Sequence, residues 1–183
     1  MTKALLIIDI QNDYFAGGAM QLVGSEEAGA VAAGILAEFR SRELPVINVQ
    51  HIATGEGATF FRPGTIGAEI HASVAPAPGE PVIVKHFPNA FRETELLETL
   101  QGIDCTELVV VGMMTHMCID TTVRAANDLG FKVTLVEAAC ATKDLTHNGR
   151  TTVAAEVQTA YMAAIDGSFA NVVNSRDLLR SWN

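Results

Sequence analysis

Three residues of this chain carry side chains suited to acyl-transfer chemistry, and each stands near the end of an apolar run. Asp9 closes "ALLIID" (4–9), Lys85 falls in "GEPVIVKH" (79–86), and Cys118 follows shortly after "ELVVVG" (107–112). A free thiol titrates near ~8.5 and is mostly protonated at neutral pH, whereas a helix N-terminus or a nearby cation favours the thiolate. Cys118 sits in the first turn of a segment that reads as helix (115–129), where unpaired backbone N–H groups carry partial positive charge. Lys85 could add a full charge there, and Asp9 could take the thiol proton and pass it to a leaving amine. The same N–H groups could hold the oxygen of a tetrahedral intermediate. Each residue also has a plainer reading. A lone cysteine beside an apolar strand packs as a small hydrophobe, Asp9 could cap the turn at Asn12 and Asp13, and Lys85 could do no more than neutralise Asp9.

The elements that must position these residues alternate between strand and helix. Residues 4–9 form a continuous apolar run, as expected for a strand buried on both faces. Further strands are expected at 45–51, within 79–86, and at 107–112, 132–138 and 169–174. Helical spacing covers 25–42, with Ala28, Val31, Ala32, Ile35, Leu36 and Phe39 on one side. It recurs at 93–100, 115–129, 148–165 and in the terminal "SRDLLRSW". Repeated β-α-β units of this kind imply a three-layer α/β fold, a six-stranded parallel sheet with helices on both faces. In such sheets ligands bind at the carboxyl ends of the strands, where Asp9, Lys85 and Cys118 all fall. The irregular stretch 52–80 is long enough to serve as a lid, a plain connection or a subunit contact.

Composition narrows the class. With 183 residues, 49% hydrophobic and 18% charged, the chain is expected to form one globular domain over 1–183. A net charge of -9 and the absence of any basic run argue against nucleic acid or an anionic membrane as partner. The apolar runs are too short to cross a bilayer. The strand-like segment begins within the first few residues, so we expect no signal peptide and a cytoplasmic location. The three cysteines are widely spaced, with no C-x-x-C pair, which speaks against disulfides and zinc; Cys105 and Cys140 read as packing residues. No G-x-G-x-x-G follows the first strand and no G-x-x-x-x-G-K-[ST] occurs, so nucleotide cofactors are not expected.

"LLIIDIQNDY", "VIVKHFPNAF" and "VVVGMMTHMCIDTT", in this order and spacing, resemble the three signatures of the isochorismatase-like cysteine hydrolases. "FRPGTIGAEIHASVAPAPGEPVIVKH" adds to the resemblance, which covers nearly the whole chain. It implies a metal-independent amidohydrolase with an Asp9, Lys85 and Cys118 triad. It also implies a cis peptide between Met113 and Met114, and an oxyanion hole made by the backbone N–H groups of Met114 and Cys118. Relatives form dimers or larger assemblies, so a homo-oligomer is expected. Nicotinamidases of this superfamily carry an Asp-x-His metal motif after the second strand; "VQHIATG" stands there instead, so no metal is expected and nicotinamide is disfavoured.

The resemblance and the retained cysteine point to hydrolysis of a C–N bond in a small amide, ureido or imide substrate, through a thioester on Cys118. Two other readings stand beside it: a thiol-independent vinyl-ether hydrolase, and a non-catalytic binding or redox scaffold. Specificity is expected from Tyr14, His51, Phe60, Phe61, Phe91 and His116, since aromatic side chains commonly line small-molecule pockets. All six serve equally well as core or interface residues. His71, His86 and His147 show no ligand spacing and read as structural or surface groups.

Overall fold

The apolar runs pair into one parallel sheet. The computed structural model describes residues 2–180. In it the chain forms β1 (Thr2–Ile8), β2 (Val46–His51), β3 (Val82–Lys85), β4 (Cys105–Met113) and β5 (Lys132–Ala141). A small hairpin of β6 (Leu145–His147) and β7 (Arg150–Thr152) then precedes β8 (Asn171–Val173). The sheet order is β3-β2-β1-β4-β5-β8, and every neighbouring pair in it is parallel. β1 therefore pairs with β2 on one side and β4 on the other, which makes the gap between β1 and β4 the point where the winding reverses. Open α/β sheets offer their ligand crevice there.

Period-two alternation along the central strands assigns each side chain to a layer. Leu5 and Ile7 of β1, with Val109 and Val111 of β4, face α1 (Ser25–Ser41), burying Ala28, Ala32, Ile35, Leu36 and Phe39. Leu178 of α5 (Ser175–Arg180) joins that layer. Ala4, Leu6, Ile8, Leu108 and Val110 face the opposite way. They meet Leu96 and Leu100 of α2 (Leu96–Gly102), Val123 and Ala126 of α3 (Asp120–Asp128), and Met162 and Ile165 of α4 (Ala154–Ile165). Each buried Val, Leu, Ile, Phe or Met among them contributes roughly 1.5–3 kcal/mol on leaving water, which fixes the strand register and with it the level of the strand ends. α1 is also suited electrostatically, with Glu26 and Glu27 in its first turn and Arg40 in its last.

Three local differences from the sequence reading have clear causes. β1 stops at Ile8, and Asp9 leaves the strand with φ 51°, so its side chain departs from the strand alternation. The segment 148–165 is not one helix: Asn148 and Gly149 adopt φ 49° and 73° and form the two-residue loop of the β6-β7 hairpin, so α4 starts only at Ala154. Asn-Gly is the strongest short hairpin signal, because both central residues of that turn need positive φ. The segment 115–129 opens with a π-type turn over Thr115–Ile119 before α3 begins. The last two residues of the expected terminal helix lie outside the described residues.

The long stretch 52–80 folds back along β1. Asn12 N–H donates to Glu69 C=O (3.0 Å) and His71 N–H to Ile10 C=O (2.9 Å). Gln11 completes the attachment: its amide donates to Ala68 and His51 carbonyls (2.7 and 2.9 Å) and accepts from His51 N–H at 2.7 Å.

Candidate active site

The ends of β1, β3 and β4 bring Asp9, Lys85 and Cys118 together. Lys85 Nζ lies 2.7 Å from Asp9 Oδ2 and 3.2 Å from Cys118 Sγ. It also reaches Phe87 C=O at 3.1 Å and His51 Nδ1 at 2.9 Å. The ammonium thus faces four acceptors with three N–H bonds to give. Asp9 and Lys85 are 0% exposed and Cys118 5%, so these charges interact with little solvent between them. Both Asp9 oxygens receive no backbone or hydroxyl hydrogen bond among the described residues, leaving Lys85 as the neighbour that balances the carboxylate.

One buried cation can balance one anion, and the thiol loses the competition. Burial pushes Cys118 far above the ordinary thiol range, the Asp9 carboxylate adds to it, and Lys85 offsets only part. Lys85 favours the thiolate, as the sequence leads one to expect, but burial and Asp9 favour the thiol more strongly, which leaves Asp9 as the group placed to take the sulfur's proton. Lys85 itself is pulled down by burial, but Asp9 and Cys118 outweigh this and raise it. His51 is held down to about 4 by burial and by Lys85, so its ring is neutral and its Nδ1 free to accept from the ammonium.

The backbone beside Cys118 is also unusual. The Met113–Met114 peptide is cis. Just before it, Gly112 has φ 140°, and a Cβ there would lie 2.0 Å from Ile8 C=O. Glycine is what lets β4 approach β1 so closely at this level. In the following turn Met114 C=O accepts the amides of Met117 (3.0 Å) and Ile119 (3.2 Å), passing over that of Cys118. The Met114 amide meets no acceptor among the described residues.

Of the residues expected to line a pocket, four gather over this cluster. The Phe61 ring stands 4.6 Å from Tyr14, 5.8 Å from His51 and 4.9 Å from Phe60. Two go elsewhere. Phe91 stacks on Phe131 at 6.1 Å, against the core on the α2 and α3 side. His116 turns to Thr142 (Nδ1 to Oγ1, 2.6 Å) and Tyr161. His71 stacks on Phe15 and His86 meets Ile52 C=O, both in structural roles.

Asp13 and Gln11 escaped the sequence reading as site residues. Asp13 accepts Phe61 N–H at 2.6 Å and Ala19 N–H at 3.1 Å, which sets the aromatic wall in place. Gly67 leaves room for that carboxylate, since a Cβ would stand 2.1 Å from its Oδ1. Both residues lie in "DIQNDY", but the partners that tie them to the site are 40 or more positions away: His51 and Ala68 for Gln11, at 40 and 57, and Phe61 for Asp13, at 48.

Asp9, His51 and Cys118 each present one possible ligand atom, all within 4.8 Å of one another. The Lys85 ammonium lies among the three, bonded to all of them, so the cluster is organised around a protonated amine. At the position of the nicotinamidase metal motif, Gln50 donates to Ala68 C=O (2.8 Å) and His51 meets Lys85.

Residues 3–177 match the isochorismatase domain family. The chain belongs to that family. It is 49% identical over 180 residues to the isochorismatase family protein YddQ of Bacillus subtilis, covering 98% of this chain and 100% of that one. The crystal structure of an isochorismatase-hydrolase homologue from Oleispira antarctica superposes with a TM-score of 0.95 at 48% identity, covering 98% and 96% of the two chains. A nicotinamidase of Escherichia coli is 27% identical over 175 residues, covering 75% of this chain and 82% of its own. The Asp9, Lys85 and Cys118 cluster of this chain thus lies in an isochorismatase-family fold. Among the described residues no helix is long and apolar enough to cross a membrane.

Proposed function

We propose that this isochorismatase-family hydrolase cleaves the C–N bond of a small amide, ureido or imide substrate through a thioester on Cys118. The observation that carries the reading is the buried chain of contacts from Asp9 through Lys85 to the Cys118 sulfur, at the reversal point of the sheet.

The chemistry follows from the charge balance. As sulfur attacks the carbonyl carbon, the S–H proton passes to Asp9, so the number of anions beside Lys85 stays at one throughout. The C–S bond forms while the carbonyl π pair moves to oxygen, and the Met114 and Cys118 N–H groups hold that oxyanion. Collapse breaks the C–N bond, and the nitrogen leaves with the proton from Asp9. Water then attacks the thioester, giving its proton to Asp9. Collapse expels sulfur, which recovers the proton. Lys85 stabilises whichever group carries the charge, and its three N–H bonds can be shared among the acceptors it already faces. The engaged Gln50 and His51 side chains support the view that this chain works without the metal site of the nicotinamidases, and they disfavour nicotinamide itself.

The test combines mass spectrometry with ammonia release. A panel of primary amides, ureido acids and imides is expected to yield an acyl adduct on Cys118 in the intact protein, and Cys118→Ala is expected to lose turnover while keeping its circular dichroism spectrum. Turnover that survives in Cys118→Ala would overturn the thioester.

A further inference from the structure

Two polar groups beside the triad have no partner among the described residues, and their neighbours determine what each can offer. Lys85 can only donate, so His51 Nδ1 must accept at 2.9 Å. A neutral imidazole that accepts at Nδ1 carries its proton on Nε2. That N–H meets no acceptor among the described residues. Tyr14 is 1% exposed; its hydroxyl meets no partner among the described residues, and it is not one of the fully buried unpaired atoms, so the oxygen keeps access to open space. It stands near enough to the triad that burial, then Cys118 and Asp9, raise its pKa well above the ordinary value, so it remains a neutral donor.

The surroundings limit the charge of what these donors meet. The Lys85 charge is matched by Asp9 at 2.7 Å, and the nearby Asp13 carboxylate is held by the amides of Phe61 and Ala19. Among the described residues Lys85 touches no other charged side chain. The Phe61 ring packs against both Tyr14 and His51, 4.6 and 5.8 Å from their rings, so the two donors share an apolar neighbour. A carboxylate placed here would lack a free cation and would stand close to Asp9.

We infer that His51 Nε2–H and Tyr14 O–H together recognise an oxygen acceptor beside the scissile carbonyl of an uncharged amide. The inference rests on the amide reading above and supplies its substrate class. It makes both side chains specificity-determining groups, with the proton of His51 assigned to one nitrogen.

Side-chain ¹⁵N NMR of the resting protein, with His51→Gln to assign the signal, is expected to find His51 as the neutral Nε2–H tautomer. The Nδ1–H tautomer, or a protonated ring at neutral pH, overturns the inference. Cys118→Ala is then titrated with three amides of nearly equal size: pyruvamide, isobutyramide and oxamate. Pyruvamide, uncharged and bearing the acceptor, is expected to shift the His51 signal saturably, with a Kd about tenfold below those of isobutyramide and oxamate. Tyr14→Phe in the same background is expected to remove most of that preference. Equal binding of all three, tightest binding of oxamate, or no saturable shift with any of them overturns the inference. Because the titrated protein lacks the thiol, selective binding without a Cys118 adduct in the native protein would strike the thioester alone. Adducts without selectivity would strike the donor pair alone.

Discussion

Replacing Asp9 with asparagine is expected to produce a protein with no turnover but a more reactive thiol. In the native site the Asp9 and Cys118 ligand atoms lie 4.8 Å apart or closer, and the carboxylate is one of the two causes that keep sulfur protonated. Two unit charges at that separation repel by about 3.5 kcal/mol at an effective permittivity near 20, a factor of a few hundred in thiolate population. The substitution is nearly isosteric and leaves Lys85 as a buried cation without its anion, so the thiolate becomes the available counter-ion. Iodoacetamide labelling of Cys118 at about pH 8, followed by intact mass, is expected to run roughly a hundredfold faster in Asp9→Asn than in the native protein. Access to sulfur is the same in both, which leaves ionisation as the variable. Ammonia release is expected to vanish, because no group remains to protonate the leaving nitrogen. Lys85→Met should move labelling the other way. If a natively folded Asp9→Asn labels as slowly as the native protein, the charge balance proposed for the site is wrong.

Two further outcomes concern stability. Gly112→Ala places a Cβ 2.0 Å from Ile8 C=O at a φ of 140°, and is expected to cost roughly 3 kcal/mol or more, read as a lowered urea midpoint; an unchanged midpoint would contradict the close approach of β4 to β1. Burial and Lys85 hold His51 down to about 4 in the folded chain, against an ordinary value of 6.5, so between those values the unfolded chain binds more protons. Stability should therefore rise with pH across that window and fall on acidification, and His51→Gln should flatten that part of the urea-midpoint profile.

The residues that carry charge were legible in the sequence because burial on both faces of a parallel sheet leaves a mark. Runs such as "ALLIID" and "ELVVVG" can hardly be anything but central strands, and a polar residue at their carboxyl end has few other reasons to be there. The resemblance to the isochorismatase-like hydrolases then supplied the cis peptide, which no periodicity encodes. The turn at Asn148 and Gly149 was legible too, but the helical spacing downstream obscured it. The π-type turn at Thr115–Ile119 was not, since its backbone is set by contacts of the strand end and not by local propensity. The same holds for the attachments made by Gln11 and Asp13. Their side chains are ordinary loop residues by sequence, and their distant partners, His51, Phe61 and Ala68, are reached only once β1 and β2 lie side by side. Phe91 and His116 illustrate the converse, an aromatic and a histidine near the right motifs whose side chains the tertiary fold sends to Phe131 and to Thr142.

The four acceptors around Lys85 Nζ bear on how little must move for this site to work. An –NH₃⁺ group is a three-spoked rotor on the Cε–Nζ bond, and here it has more neighbours than spokes. When negative charge shifts between oxygen and sulfur, the rotor can turn a spoke toward whichever atom has gained it, while the others remain held by a backbone carbonyl and an imidazole. No loop has to close and no water has to be recruited for that response. The site meets a change in charge by twisting a single bond.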